Sequence, residues 1–196
     1  RRIDLEMIAR SIALWRSDYQ CFPDFDPVGM QAQTHGLSLW VPLSAGCCDR
    51  ADTYAFRSAL SPAMVHTQNI FTPAADEFAP PKWLRSMMGQ HLRLRPYFYG
   101  DFYPLLSYSL DNEAWEAWQF HRPDLDEGCV IAFRRPLSPI GSITAGLQGL
   151  SPGESYEVED LDDGVIGQST GAELGRGLTL RIDDRPGTRL VVYRRA

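Results

Sequence analysis

The stretch Ile12–Gln20, which reads IALWRSDYQ, places an arginine and an aspartate directly after a short apolar run. The apolar residues Ala13–Trp15 are too few to cross a membrane, but they suit a short buried strand. Side chains alternate along an extended chain, so Arg16 and Asp18 are expected on the same face. The carboxyl ends of strands carry the chemistry in parallel α/β folds, and this stretch therefore predicts a functional site. The competing interpretation is a solvated loop aspartate with Arg16 as its surface partner.

The composition indicates an ordinary globular protein. The chain has 196 residues, of which 44% are hydrophobic, and this is enough for one large domain or two small ones. A formal net charge of −6 argues against a broad nucleic-acid interface and against a polybasic membrane patch. Neither a run of eighteen apolar residues nor a signal-peptide pattern is found, so a cytoplasmic location is expected. The chain opens on Arg1 instead of methionine, and a targeting signal could precede it.

No motif for a metal or a cofactor is found. The cysteines Cys21, Cys47, Cys48 and Cys129 lack CxxC spacing, and free thiols are expected. The adjacent pair Cys47-Cys48 could ligate a soft metal only with distant help. The four histidines are scattered singly, and there is no phosphate-binding glycine loop, nucleophile elbow or HExxH pattern. We therefore expect chemistry that carboxylates can perform without a cofactor.

The first half of the chain shows alternating helix and strand patterns. Asp4–Arg10 predicts a short helix with Asp4 as its N-cap, and Lys82–Leu94 predicts a longer helix. Between them the pattern predicts, in order, helical turns at Gly29–Thr34, a buried strand at Leu37–Leu43, a surface loop at Ser44–Thr53 and a third strand at Tyr54–Leu60.

The run Pro96–Leu106 is dense in aromatic residues. It could form a surface on which sugars stack, but aromatic connectors between domains usually pack into the core. Packing is the favoured interpretation.

After Asn112 the period of the sequence changes to that of short strands separated by turns. Half-buried alternation is clear at Leu178–Ile182, and turn formers fill the intervals. This pattern predicts a small antiparallel sandwich, with a domain boundary near residues 107 to 113 and the division set after residue 112. The predicted strands are Trp115–Phe120, Gly128–Phe133, Ser142–Leu147, Ser155–Val158, Leu178–Ile182 and Leu190–Tyr193.

Several segments resemble, in order, the C-terminal part of the alpha-galactosidase (melibiase) family of glycoside hydrolases, family thirty-six. Arg2-Ile3-Asp4 is similar to the family's Arg-x-Asp turn, and Leu14-Trp15-Arg16-Ser17-Asp18 is similar to its Trp-x-Ser-Asp element. Gly100–Leu106 resembles the segment that links the family's barrel to its sandwich. The sandwich's recurring turns are matched by Leu147–Tyr156 and Ser169–Leu178.

The resemblance implies an α/β plus all-β fold: residues 1–112 as the C-terminal strands and helices of a (β/α)8 catalytic barrel, and residues 113–196 as a β-sandwich. It implies a retaining hydrolase of terminal alpha-galactosides, in which Asp18 is the general acid/base and Arg16 and Arg2 bind substrate. The family's nucleophilic aspartate has no match here, and Tyr19 stands where many members have a second aspartate.

The length agrees with a fragment. A complete barrel takes about 250 residues, whereas the part before the predicted sandwich has three credible strands. The expected partners are alpha-galactoside oligosaccharides and the rest of the barrel upstream, with no nucleic acid and no membrane, and homo-oligomer formation stays open. Two alternatives also stay open: a non-catalytic carbohydrate-binding or structural sandwich, and a galactosyltransferase relative.

Overall fold

The structure is a computed structural model, and it describes residues 4–10, 13–16, 26–41, 43–66 and 79–196. The chain divides into two compact units, Arg1–Arg95 and Pro96–Ala196. No helix in the described ranges is long and apolar enough to cross a membrane.

The first unit alternates strands and helices around a small parallel sheet. Its three strands lie in the order β1-β2-β3, and all are parallel. The described residues form an open sheet and not a closed barrel. Its elements are α1 (Leu5–Arg10), β1 (Leu14–Trp15), α2 (Pro27–Ser38), β2 (Ser44–Cys48), α3 (Thr53–Ser58), β3 (Ala63–His66) and α4 (Pro81–Leu94).

Aspartate caps fix where three of these helices begin. Asp4 accepts a hydrogen bond from Met7 N at 3.0 Å, which confirms the predicted cap of α1. Asp26 accepts from Val28 N at the start of α2, and Asp52 accepts from Ala55 N at the start of α3. A side-chain oxygen at this position satisfies an amide that the helix itself leaves unpaired. Helix α4 is also confirmed.

The predicted strand at Leu37–Leu43 is wrong. Helix α2 continues to Ser38, and Leu37 O then accepts hydrogen bonds from Trp40 N and Val41 N in a turn that closes it. The side chains of Leu39 and Trp40 are 61% and 51% exposed. The apolar residues of this run therefore do not form a buried strand.

The next two predictions are wrong for a related reason. Ser44–Thr53, predicted as a surface loop, contains β2, the central strand of the sheet, and every residue of β2 is buried. Tyr54–Leu60, predicted as a strand, lies mostly in α3, in which the residues Tyr54 to Ser58 are all buried. The sequence of β2, SAGCC, has small side chains and so carries little hydrophobic signal, whereas α3 is apolar on several sides and shows no helical period.

The second unit is mainly antiparallel sheet. Six strands lie in the order β4-β5-β6-β11-β8-β9, and β7 pairs with β10 in a separate two-stranded sheet. Each of the six predicted strands is confirmed, while β4, β9 and α5 were not predicted. The elements are a 3-10 helix (Arg95–Tyr99), β4 (Asp101–Pro104), β5 (Trp115–Arg122), β6 (Glu127–Arg134), β7 (Ser142–Ala145), β8 (Ser155–Asp160), β9 (Gly164–Thr170), α5 (Gly171–Arg176), β10 (Leu178–Arg181) and β11 (Gly187–Arg195).

The division between the units falls earlier than the boundary predicted at residues 112 and 113. Strand β4 pairs with β5 from Asp101 opposite His121 to Pro104 opposite Trp118, so β4 is an edge strand of the large sheet. The 3-10 helix also contributes Phe98, whose ring meets Phe120 edge-on at 4.8 Å between centroids. Phe102 lies 5.2 Å from the same ring. These contacts support the packing interpretation of the aromatic run.

One core cluster joins the two sheets of the second unit. Ile143 of β7 and Leu178 and Leu180 of β10 pack with residues from one face of β5, β6, β8 and β11. Burying such apolar side chains is the main favourable contribution to folding. The arrangement is therefore β-sandwich-like, with one large sheet covered by a small one. Its buried members are Trp115, Ala117, Val130, Ala132, Leu147, Tyr156, Val158, Leu174, Leu180, Ile182, Val191 and Tyr193.

Candidate functional site

Of the three site residues predicted from the sequence, Arg16 is the one that the structure describes. Asp18 and Arg2 lie outside the described residues. Arg16 follows β1 directly, at the carboxyl end of a parallel strand, as the sequence predicts.

The guanidinium of Arg16 lies in the interior of the first unit. It donates to Thr34 Oγ1 of α2 at 2.5 Å, and to the carbonyl oxygens of Ala45 in β2 and Ala59 after α3, both at 3.3 Å. The residue is 7% exposed, and burial lowers the pKa of Arg16 to about 10. A group with this pKa is still protonated at neutral pH, so the three acceptors stabilise a buried cation. Arg16 thereby links the end of β1 to three neighbouring elements.

Strand β2 has to carry a glycine where this guanidinium crosses it. A Cβ atom at Gly46 would lie 2.6 Å from Arg16 Nη2 and 2.7 Å from Ser61 Oγ, and it would also overlap Ala59 O. The glycine of β2 is thus required by the backbone of Ala59 and by the arginine that packs against the strand.

The carboxyl ends of the three strands bring further polar residues to the same edge. Cys48, the last residue of β2, is the register partner of His66, the last residue of β3, and Asp49 follows β2. Arg16, Asp49 and His66 are thus the residues that end or follow β1, β2 and β3. Sequence reasoning missed Asp49 because it placed Ser44–Thr53 in a surface loop, and it missed His66 because the histidines had no motif.

The imidazole of His66 lies among aromatic rings. Its centroid is 5.8 Å from that of Trp83 in α4, at 61° between the planes, and 6.3 Å from that of Phe56 in α3. Trp83 and Phe56 also meet edge-on at 5.9 Å. Both ring nitrogens of His66 are enclosed, and the backbone of Cys48 is the polar group that interacts with the ring. Burial lowers the pKa of His66, and the negative charge of Asp49 opposes this effect.

Asp49 is similarly enclosed. Its side chain is 12% exposed, and its Oδ1 atom lies 3.5 Å from Arg50 Nε. That contact lacks hydrogen-bond geometry, and no other described residue bonds this oxygen. A buried carboxylate oxygen without a full set of donors can accept a hydrogen bond from a ligand.

The neighbouring thiols are poor candidates for chemistry. Cys47 and Cys48 are buried thiols, and burial raises the pKa of Cys48 to about 12. A thiol with that pKa is protonated at neutral pH and is a weak nucleophile and metal ligand. No group of three or more metal-ligating side chains occurs among the residues that the structure describes.

The second unit has a shallow cavity of about 290 Å³ between β9 and β10. Arg189 lies in it and binds the carboxylates of Asp160 and Asp163, while its Nη1 donates to Arg181 O at 2.6 Å. No aromatic residue lines the cavity, so it offers no ring on which a sugar could stack. Its charged groups are engaged with one another, and this arrangement supports a structural role.

No protein-family model matches the chain, and a comparison with curated proteins finds no match. Similar solved structures are found among GH36 alpha-galactosidases. AgaB from Geobacillus stearothermophilus matches with a TM-score of 0.70 and 20% identity, covering 97% of this chain and 26% of its own. A variant of AgaA from the same organism, solved in complex with raffinose, matches with a TM-score of 0.68 and 19% identity over 89% of this chain. The alpha-galactosidase from Lactobacillus brevis has the same TM-score at 17% identity.

The chain covers about a quarter of the length of these structures, between 25% and 26% of each. At identities of 20% or less, the comparison bears on the fold. The resemblance to the C-terminal part of family thirty-six glycoside hydrolases, first indicated by the order of short motifs, is thereby confirmed for the fold of this chain.

Proposed function

We propose that this chain is the C-terminal segment of an alpha-galactosidase-like retaining glycoside hydrolase that acts on terminal alpha-galactosides. Asp18 is its general acid/base, and the nucleophile is supplied by a strand upstream of the segment. The observation that supports this most is the edge formed by β1, β2 and β3: Arg16 lies there, two residues before Asp18, in a chain whose fold matches GH36 alpha-galactosidases over about nine tenths of its length.

In the proposed mechanism two carboxyl groups flank the glycosidic bond. The upstream nucleophile attacks the anomeric carbon, while Asp18 protonates the leaving oxygen and then removes a proton from the attacking water. A raised pKa suits this role, and the charge of a nearby nucleophile would raise the pKa of a partly buried carboxyl group.

The two arginines have different parts in this proposal. Arg2 binds substrate, as the resemblance implies. The three hydrogen bonds of Arg16 support a positioning role, in which it fixes the end of β1 and hence the start of the segment that carries Asp18.

The proposal assigns the first unit to a barrel. A (β/α)8 barrel needs eight strands, and β1, β2 and β3 supply three of them in the required parallel, strand–helix order. Within the described sheet, β1 and β3 each have one partner, so each has a free edge. The upstream strands would pair with both edges and close the barrel.

The full-length protein tests the proposal. It should hydrolyse an aryl alpha-galactoside and raffinose, and Asp18→Asn should lower kcat by several orders of magnitude. The loss should be larger for raffinose, because a sugar leaving group needs protonation more than an activated phenol does. Lys82→Gln, at an exposed position of α4, is the control. A wild-type rate in Asp18→Asn on both substrates would remove Asp18 from the mechanism.

A further inference from the structure

We propose that β9 (Gly164–Thr170) is an interaction edge, at which two copies of the protein pair their β9 strands antiparallel and form one continuous sheet. This inference is independent of the proposed function, because it concerns the second unit and not the strand ends of the first. It predicts reversible self-association of the full-length protein.

Strand β9 lies at the end of the large sheet. It pairs with β8, and within the described part of the chain no strand pairs with its other edge. The backbone N–H and C=O groups along such an edge can accept a further strand. A bulge at Ile166 interrupts the pairing with β8, but residues 167–170 follow it in regular register. This part of β9 therefore offers a regular ladder to a partner.

The two ends of the large sheet carry different side chains. Strand β4, at the other end, contains Asp101 and Pro104. Charge and proline hinder the addition of a strand, since a covered charge is costly and proline has no N–H to donate. The sequence of β9, GVIGQST, has neither a charged residue nor a proline. Its side chains Val165 and Ile166 are 64% and 58% exposed. Of the two edges, β9 is thus the one suited to contact with another protein.

The partner that best fits β9 is the same strand of a second copy. Two uncharged strands meet no electrostatic opposition, and the exposed aliphatic side chains of both lose contact with water. The second copy also brings its strand already extended, whereas a flexible peptide would lose backbone entropy on ordering. A contact between two identical edges is closed by a two-fold axis, so it gives a dimer and not a fibre.

The charges that flank β9 favour the antiparallel direction. Asp162 and Asp163 directly precede the strand. In a parallel pair these carboxylates would face their counterparts on strands about 4.8 Å apart, whereas an antiparallel pair separates them by roughly 20 Å. Asp163 is moreover bound by Arg189. At the other end of β9 the chain continues with the uncharged residues Gly171 and Ala172. The acidic turn of one copy would therefore lie beside an uncharged segment of the other.

The size of the contact sets its strength. A stable specific interface buries about 1,600 Å² in total, and a single pair of short strand edges buries less. We therefore expect a monomer–dimer equilibrium with a dissociation constant above about 1 μM.

The test is sedimentation of the full-length protein over a range of concentrations at low ionic strength. Gln168, which is exposed near the middle of β9, is changed to lysine in one variant and to glutamate in another. Each new charge lies close to its own copy across the two-fold axis, so Gln168→Lys and Gln168→Glu should each raise the dissociation constant about three- to tenfold. An equimolar mixture of the two variants should restore the association, since opposite charges then meet. Leu137→Lys, at a position that is 61% exposed, is the control and should leave the dissociation constant unchanged.

Hydrogen exchange of peptides that contain β9 identifies what covers the edge. Protection that appears only at high protein concentration supports pairing between copies. Protection that persists at every dilution would show that another part of the same polypeptide covers β9, and it overturns the inference. A protein that stays monomeric, or a mixture that associates no better than either variant alone, also overturns it. All variants should keep the unfolding temperature of the unaltered protein to within about 4 °C, since substitutions at exposed positions change stability little.

Discussion

A bonded polar cluster of the second unit can be compared with a half-buried histidine of the first. In the second unit, Tyr193 OH accepts from Gln119 Nε2 at 2.6 Å and lies 3.0 Å from His121 Nδ1. Gln119 also binds the backbone of Gln148 at both ends, as donor and as acceptor, each at 2.8 Å. In the first unit, the ring nitrogens of His66 are enclosed, and among the described residues they have no side-chain partner of this kind.

The difference concerns how much each polar group contributes to stability. A fully bonded network such as Gln119, His121 and Tyr193 specifies one arrangement of the strands that carry it. A buried polar group that lacks partners contributes no such stabilisation and costs its desolvation. Mutations that remove a partner from the cluster of Gln119, His121 and Tyr193 should therefore destabilise the protein more than mutations at His66.

The largest effect is expected at the buried ion pair of the second unit. Arg135 Nη2 lies 3.5 Å from Glu116 Oε2, and both side chains are fully buried. Arg135→Met leaves Glu116 without its counter-charge and should lower the local free energy of opening by about 3–5 kcal/mol. Hydrogen exchange of peptides from β5 and β6 measures this.

The double variant Arg135→Met with Glu116→Gln is the matched control for that pair. It removes both charges and should recover part of the loss. Equal protection in Arg135→Met and the unaltered protein would mean that the pair does not stabilise the sheet.

A direct comparison of the two units comes next. Tyr193→Phe deletes the hydroxyl shared by Gln119 and His121 and should cost about 1–3 kcal/mol, because buried donors are left unpaired. His66→Phe deletes two nitrogens that lack a side-chain partner among the described residues and should change stability by no more than about 0.5 kcal/mol. Hydrogen exchange of peptides that contain β5 measures the first change in stability, and exchange of peptides that contain β3 measures the second. A larger loss of stability in His66→Phe than in Tyr193→Phe would contradict this comparison.

Acidification should weaken the second unit through His121. Burial lowers the pKa of His121, and the charges of Asp126 and Asp101 oppose this only in part. The unfolded state therefore binds a proton first, as pH falls below about 6.5, and stability present at neutral pH is lost on the acid side. One such group contributes at most about 1.4 kcal/mol per pH unit. Urea unfolding at pH 5.5 and 7.5 should show a smaller difference between the two pH values in His121→Gln than in the unaltered protein.

The smallest effect is expected at an exposed pair. Arg181 Nε donates to Asp183 Oδ1 at 2.9 Å, but the two side chains are 72% and 75% exposed. Solvent screens such a pair, so Arg181→Ala should change stability by no more than about 0.5 kcal/mol. A loss comparable to that of Arg135→Met would show that burial does not set the strength of these ion pairs.

The second unit could be predicted from its sequence because its strands are half-buried or are bounded by clear turns. Leu178 to Arg181 alternate between partly or fully buried and exposed positions, as the alternation of apolar and polar residues in the sequence predicts. Helix α5 was missed although Thr170 and Glu173 form a capping box, which is itself a sequence signal.

The first unit was harder to predict from its sequence, because its central strand is buried on both faces by other polar and apolar groups. Cys47 and Cys48 are fully buried, yet SAGCC resembles a loop in composition. Asp52 is the cap of α3, and an aspartate before a run of apolar residues could have indicated a helix there. The sequence could predict only part of the candidate site. Arg16 was identified from the strand that precedes it, whereas His66 could be recognised only after β3 was known.

Gly46 has a consequence for anyone who varies this protein. Its missing side chain leaves room for both the Ala59 carbonyl oxygen and the Arg16 guanidinium, so no side chain fits at this position. A mutant library that broadens sugar preference by diversifying the strand ends should hold residue 46 constant, because a shorter residue at position 16 would still leave the overlap with the backbone of Ala59. Clones with any larger residue at 46 are expected to be lost at the expression stage, before activity is ever assayed.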